Sequence, residues 1–176
     1  MAISHNDLRL LRQSQAAQEG SHDPHRKVGA VIADANGRIL GVGANAPPKR
    51  LSLTLLQSHA AVEGDPHWKY HVLEHAERNA IFSALQNGSQ LLGATMYGTL
   101  FPCADCARAI VAVGIARVVV PSPGGDAVRD QKWLDHYRYA RSIFELAGVT
   151  VEMVPQHLLA QPVEEPTDTP HPSGAS

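Results

Sequence analysis

Apolar residues in this chain fall into short blocks separated by turn-forming residues, and the spacing within each block distinguishes helix from strand. In residues 7–19, Leu8, Leu11 and Gln15 recur at helical spacing and Gly20 follows, which predicts an amphipathic helix. Residues 28–33 are a β-rich apolar run, Asp34-Ala35-Asn36-Gly37 supplies turn chemistry, and residues 38–44 return as the second arm of an antiparallel hairpin. The rhythm then breaks at Pro47-Pro48-Lys49-Arg50 and again at Glu63-Gly64-Asp65-Pro66, so residues 46–73 read as an irregular insertion. Residues 75–87 restore a helix with Ala76, Ala80, Ile81, Ala84 and Leu85 as its apolar stripe and Gly88 as its stop. A strand at 95–100 follows, then a helix at 103–113 with Pro102 suited to its first turn. A strand at 116–120, a long helix at 130–147 closed by Gly148, and a strand at 149–154 complete the series. Strands separated by helices need parallel crossovers. The expected fold is therefore a three-layer α/β/α sandwich around a five-stranded mixed sheet whose last two strands are parallel.

Composition narrows this picture. A length of 176 residues with 44% hydrophobic positions suits one domain, drawn here over residues 1–158. Pro162, Pro166, Pro170 and Pro172 lie among small and acidic residues, so 159–176 reads as a tail. Fifteen basic and seventeen acidic residues leave a net charge of −2, a poor footprint for gripping long nucleic acid, and no stable nucleic-acid partner is expected. No apolar stretch approaches the length of a membrane span, and residues 1–12 lack the apolar core of a secretion signal.

The chemistry concentrates at His75-Ala76-Glu77 and at Pro102-Cys103-Ala104-Asp105-Cys106. One imidazole and two thiolates can hold a zinc ion and leave its fourth position open, the mark of a catalytic site. Both half-motifs fall at expected helix starts, where unpaired N–H groups favour the thiolate form. A C-x-x-C pair alone could also be a redox disulfide or a short structural metal knuckle. The His-x-Glu partner favours zinc. Glu77 alone could be a solvated glutamate favoured by the helix dipole, but beside those ligands it is placed to move protons for a water. Cys103 and Cys106 are the only cysteines, and their reduced state would fit a cytoplasmic setting.

At these residues the chain resembles the cytidine/deoxycytidylate deaminase superfamily, most closely its deoxycytidylate branch, over roughly residues 6–154. His75-Ala76-Glu77-Arg78-Asn79-Ala80-Ile81 resembles the H-A-E-x-N-A-I of that branch. Thr99-Leu100-Phe101-Pro102-Cys103-Ala104-Asp105-Cys106 is similar to its T-L-F-P-C-x-x-C. Asp23-Pro24 before Val28-Gly29-Ala30, and Gly43-Ala44-Asn45, fall where the branch has D-P-x-x-x-V-G-A and G-Y-N-G-x-P-R. Phe101 stands where tRNA adenosine deaminases and guanine deaminases usually carry Glu, and the tail lacks the basic C-terminal helix usual in tRNA deaminases.

The resemblance implies a zinc-dependent hydrolytic deaminase that converts an amino-pyrimidine, a cytosine nucleotide or nucleoside, to the oxo form with release of ammonia. Deamination of a modified base or another amino-heterocycle, or of nucleic acid, is the alternative. It implies His75, Cys103 and Cys106 as ligands of one zinc and Glu77 as proton shuttle. It also implies Asn45 as a contact near the sugar and the Ala76 N–H for the base carbonyl. For Asn45 a plain turn residue is the competing reading. Ala44 and Ala46 replace the Tyr and Gly of the usual G-Y-N-G, and Gly20 replaces an Arg found in many relatives. Arg26, Lys27, Lys49 and Arg50 are then candidates to meet a phosphate, with solvated surface charge as the alternative. Trp133 and Tyr137, four residues apart, are either core or a wall against which a base stacks. His59, His67 and His71 crowd the insertion, where incidental histidines outweigh a second metal. Apolar helix faces suggest a homo-oligomer.

Overall fold

The computed structural model describes residues 3–122 and 127–159, so the tail expected over 159–176 lies outside them except for Leu159. The helices are α1 (His5–Ala17), α2 (Leu55–Gly64), α3 (Trp68–Val72), α4 (Ala76–Gln86), α5 (Ala104–Ala112), α6 (Ala127–Ala147) and the short α7 (Gln156–Leu159). The strands are β1 (Gly29–Ala33), β2 (Ile39–Ala44), β3 (Thr95–Gly98), β4 (Arg117–Pro121) and β5 (Thr150–Val154). They form one five-stranded sheet in the order β2-β1-β3-β4-β5. β1 is antiparallel to β2 and β3, while β3–β4 and β4–β5 are parallel. The expected mixed sheet is present.

Strand alternation explains the layers. In β1, Ala30 and Ile32 face the core shared with α4, α5 and α6, where Met96, Val118, Val120, Ile110 and Phe144 also lie. Val31 and Ala33 face the opposite side, against Leu10 and Leu11 of α1 with Tyr97 and Val119. β1 is buried along its whole length because helices cover both faces.

Several local expectations change. α1 starts at His5 because Ser4 and Asp7 form a reciprocal cap: the Ser4 hydroxyl accepts the Asp7 N–H at 3.1 Å and the Asp7 carboxylate accepts the Ser4 N–H at 2.9 Å. Its fully buried face is Asp7, Leu10, Leu11 and Ser14; of the expected stripe, Leu11 is buried and Leu8 packs half-buried against the same cluster. Residues 46–73 are not irregular, since they carry α2 and α3. A second reciprocal cap joins Thr54 and Gln57 at 2.9 and 3.2 Å and starts α2.

α4 turns its acidic residue inward: Glu77 is buried, whereas Leu85, expected in the stripe, is 51% exposed. The cause is the close seat of α4 on β2. A Cβ on Gly43 would meet the Ala76 carbonyl oxygen at 2.2 Å, and one on Gly41 would meet that of Ala80 at 2.3 Å. Pro102 lies outside α5, because Cys103 takes the cap position ahead of Ala104.

Candidate active site

The ends of β2 and β3, the start of β1 and the N-termini of α4 and α5 meet at one edge of the sheet. Such a crevice, outside strand ends, is where open α/β sheets gather ligands. His75 caps the N-terminus of α4 in extended conformation, and Cys103 does the same for α5, its sulfur accepting the Cys106 N–H at 3.5 Å. The His75 Nδ1 atom lies 3.5 Å from the Cys103 sulfur and 3.4 Å from the Cys106 sulfur. The three ligand atoms lie within 4.8 Å of one another, and no other trio of His, Cys, Asp or Glu gathers so closely among the described residues. The donor set, one nitrogen and two sulfurs on one small volume, fits zinc. Both cysteines are free and buried, and their sulfurs face the His75 imidazole.

Protons are shared unevenly here. The hydrogen bond from Cys106 drives the Cys103 thiol down to about 4, aided by His75. Cys106 is pushed up, first by that same bond and then by burial, so the two sulfurs hold one proton between them. The hydrogen bond to Cys103 lifts His75 to about 9. Metal binding asks for two thiolates and a neutral imidazole, so loading this trio releases protons. Glu77, 5% exposed, is pushed up by burial, with His75 pulling the other way.

A cavity of about 320 Å³ opens onto His75, Cys103 and Glu77, large enough for a small ligand. Of the sequence candidates, Arg26, Asn45, His75, Ala76, Glu77, Cys103 and Trp133 line it. Lys49 does not: it stands exposed in a single turn of 3₁₀ helix after Pro48. Lys27 is an exposed partner of Glu19 at 2.7 Å. Asn45 is used on the backbone, accepting the Val28 N–H and donating to the Arg26 carbonyl, both at 2.8 Å. Its amide therefore shapes the wall that Arg26 and Val28 present. Trp133 is half-buried, edge-on to His75 with ring centres 6.5 Å apart, and Tyr137 packs on Phe101 at 5.5 Å.

Other residues in the wall carry no motif. Lys69, Tyr70 and Leu73 reach it from α3 and its end, and Lys132 reaches it from α6. Lys69 pairs with Asp23 at 2.9 Å, which pins α3 to the turn before β1. Asn79 donates to the carbonyls of Ala44 and Ala46, each at 2.9 Å, and fixes the start of α4 against the end of β2. The asparagine of the H-A-E-x-N segment was the one signal that could have marked it.

Residues 4–122 match the family model described as the cytidine and deoxycytidylate deaminase zinc-binding region. Human deoxycytidylate deaminase is 37% identical over 130 residues, covering 74% of this chain and 68% of that protein. An uncharacterized deaminase encoded in the luxG 3′ region of Aliivibrio fischeri is 32% identical over 151 residues, covering 86% of this chain and 95% of its own length. The dCMP deaminase of cyanophage S-TIM5, in its apo form, superposes with a TM-score of 0.62 at 21% identity over 84% of this chain and 96% of that one, a likeness of fold.

Proposed function

The chain belongs to the cytidine and deoxycytidylate deaminase family, and from that premise we propose that it deaminates a cytosine nucleotide or nucleoside to the uracil form, releasing ammonia. The observation that carries the reading is the convergence of the His75, Cys103 and Cys106 ligand atoms within 4.8 Å of one another, with His75, Cys103 and the buried Glu77 lining one cavity. Zinc held by that trio supplies the Lewis acidity that brings a water within reach of ionisation at neutral pH.

The chain's own residues do the rest. Glu77 takes a proton from the attacking water and passes it to the ring nitrogen beside the amine-bearing carbon. It then takes the remaining proton from the newly added hydroxyl and delivers it to the departing amine, so that the C–N bond breaks as the carbonyl forms and ammonia leaves. Burial raises the affinity of Glu77 for protons and suits it to hold one between steps. The Ala76 N–H, at the first turn of α4, is the donor for the base carbonyl. Arg26 and Trp133 line the same cavity, the Arg26 guanidinium 5.9 Å from the centre of the Trp133 ring.

Within this reading the catalytic unit spans residues 1–158, with 46–73 as an insertion beside the cavity. The reduced cysteines fit a cytoplasmic enzyme. Exposed Phe82 and Leu85 on α4 and exposed Leu146 on α6 fit a homo-oligomer, which light scattering on the purified protein would establish or remove. The deciding experiment is ammonia release by the zinc-loaded protein from deoxycytidylate, deoxycytidine, cytidine and cytosine. Turnover of at least one supports the reading, and silence on all of them overturns it.

A further inference from the structure

We propose that His22 is a positioning residue whose neutral ring fastens α2 to the cavity wall, so that mild acid undocks α2 and weakens substrate binding. The kinetic part of the proposal rests on the deaminase reading above. His22, Asp23 and His25 send three side chains into the insertion. The His22 Nδ1 atom lies 2.7 Å from the Ser58 hydroxyl of α2, and the His25 Nε2 atom lies 3.1 Å from Glu63 of the same helix. Between them, the Asp23 carboxylate accepts from Lys69 of α3 at 2.9 Å. The same stretch runs on into the wall, which Asp23, His25, Arg26 and Val28 line. The His22 N–H donates to the Asn45 carbonyl at 2.9 Å, and the Asn45 side chain holds Arg26 and Val28. His22 thus joins α2 on one side to the wall on the other.

The three links are unequal. His25 and Glu63 are each more than half exposed, so their pair is screened and contributes little. The Asp23–Lys69 pair secures α3. The buried tie to α2 is His22–Ser58, since Ser58 has no exposed surface. Only Ser58 and Val62 of α2 are buried, and neither belongs to the two core clusters on the faces of the sheet. A helix seated by one buried polar contact and one apolar side chain docks with a small free energy, which the charge on a single ring can reverse. His59, the residue after Ser58, is the titratable group that faces His22, and its own Nε2 atom is buried with no hydrogen-bond partner among the described residues. Glu63 and Lys69 of the insertion are taken by His25 and Asp23, and no carboxylate pairs with His22 among the described residues. Burial, and then His59, hold His22 below the ordinary histidine value. The docked ring therefore takes up a proton less readily than the undocked one. Docking is favoured above about pH 6.5 and weakens as the pH falls below it. A protonated His25 would strengthen its pair with Glu63, an opposing effect that exposure keeps small.

The test compares zinc-loaded wild type, His22→Asn and His22→Ala at about pH 7.5 and about pH 5.5, in buffer that keeps zinc bound. Asparagine can bond Ser58 from nearly the same place but has no group that titrates. The readouts are hydrogen-exchange protection of residues 55–64, corrected for the intrinsic effect of pH on exchange, and kcat and KM for deoxycytidylate. In the wild type, protection of α2 should fall by roughly threefold to tenfold at the lower pH, and KM should rise by a similar factor. His22→Asn should hold both nearly level. His22→Ala should show low protection and raised KM already at the higher pH, with kcat and zinc content unchanged there. Wild-type protection that does not fall, or that falls as far in His22→Asn, overturns the proposal. So does a KM that stays level while α2 undocks. Should the wild type release ammonia from none of the cytosine compounds, the deaminase reading falls by itself, and the exchange comparison decides the role of His22 on the same criteria.

Discussion

Glu77 is a carboxylate with almost no access to solvent, set beside an imidazole and two sulfurs that already compete for protons. In the proposed mechanism it is the only proton carrier, so Glu77→Gln should lower kcat by about a hundred- to ten-thousandfold. Metal analysis should still find one zinc per chain, because Glu77 is not among the ligands. Cys103→Ser is expected to do the reverse, losing zinc first and activity as a consequence, since the trio keeps only two of its donors. The metal trio and Glu77 were legible in the sequence because their meaning lies in residue type and short spacing. Asn45 was legible only as a position: its partners are backbone atoms of Arg26 and Val28, which no spacing reveals. Lys49, a basic residue after two prolines, is exposed in its turn and is not among the residues that line the cavity.

At the scale of elements, contact between α4 and β2 is what aims His75 and Glu77. Gly41 and Gly43 leave room for the helix backbone, and Gly43→Ala would drive a methyl group to 2.2 Å from the Ala76 carbonyl. The variant is expected to lose activity together with stability, with thermal unfolding and ammonia release falling in parallel. On the opposite face, Arg117 of β4 binds Asp7 of α1 at 2.7 Å and Glu152 of β5 at 2.6 Å, and the Tyr97 hydroxyl donates to Asp7 at 2.8 Å. Burial alone would raise the Asp7 carboxyl, but the Arg117, Ser4 and Tyr97 hydrogen bonds prevail and hold it well below the usual carboxylate range.

A folded-state pKa below the unfolded one adds stability that is complete above the unfolded value and is lost as the pH falls toward the folded one. Urea unfolding should therefore show the Asp7 contribution intact at neutral pH and shrinking below about pH 4. Asp7→Asn should cost about 3–5 kcal/mol at neutral pH and flatten that acid limb. The hairpin, α4, α5 and the parallel strands could be read from apolar periodicity. α2 could not, because what starts it is the polar exchange between Thr54 and Gln57 and not an apolar stripe.

For the whole molecule, the layer order followed from the alternation of strands and helices, whereas the cavity did not. Its walls come from residues as far apart as Asp23, Lys69 and Lys132, and only the folded sheet brings them to one edge. Zinc at the trio would tie α4 to α5 across β3, on the face away from α1. Stripping the metal with a chelator is expected to lower the unfolding temperature, by the equivalent of about 3 kcal/mol if zinc had been present at about a hundred times its dissociation constant. Hydrogen exchange should then rise at the starts of α4 and α5 while α1, held through Arg117, keeps its protection. The position of α6 has a longer-range consequence. Residues 75–106 carry every atom proposed to make or break a bond, while the helix bearing Lys132 and Trp133 arrives only after residue 122. The reacting residues and this part of the cavity wall thus occupy separate stretches of polypeptide, and exchanging that helix alone would reshape the wall while residues 75–106 stay as they are.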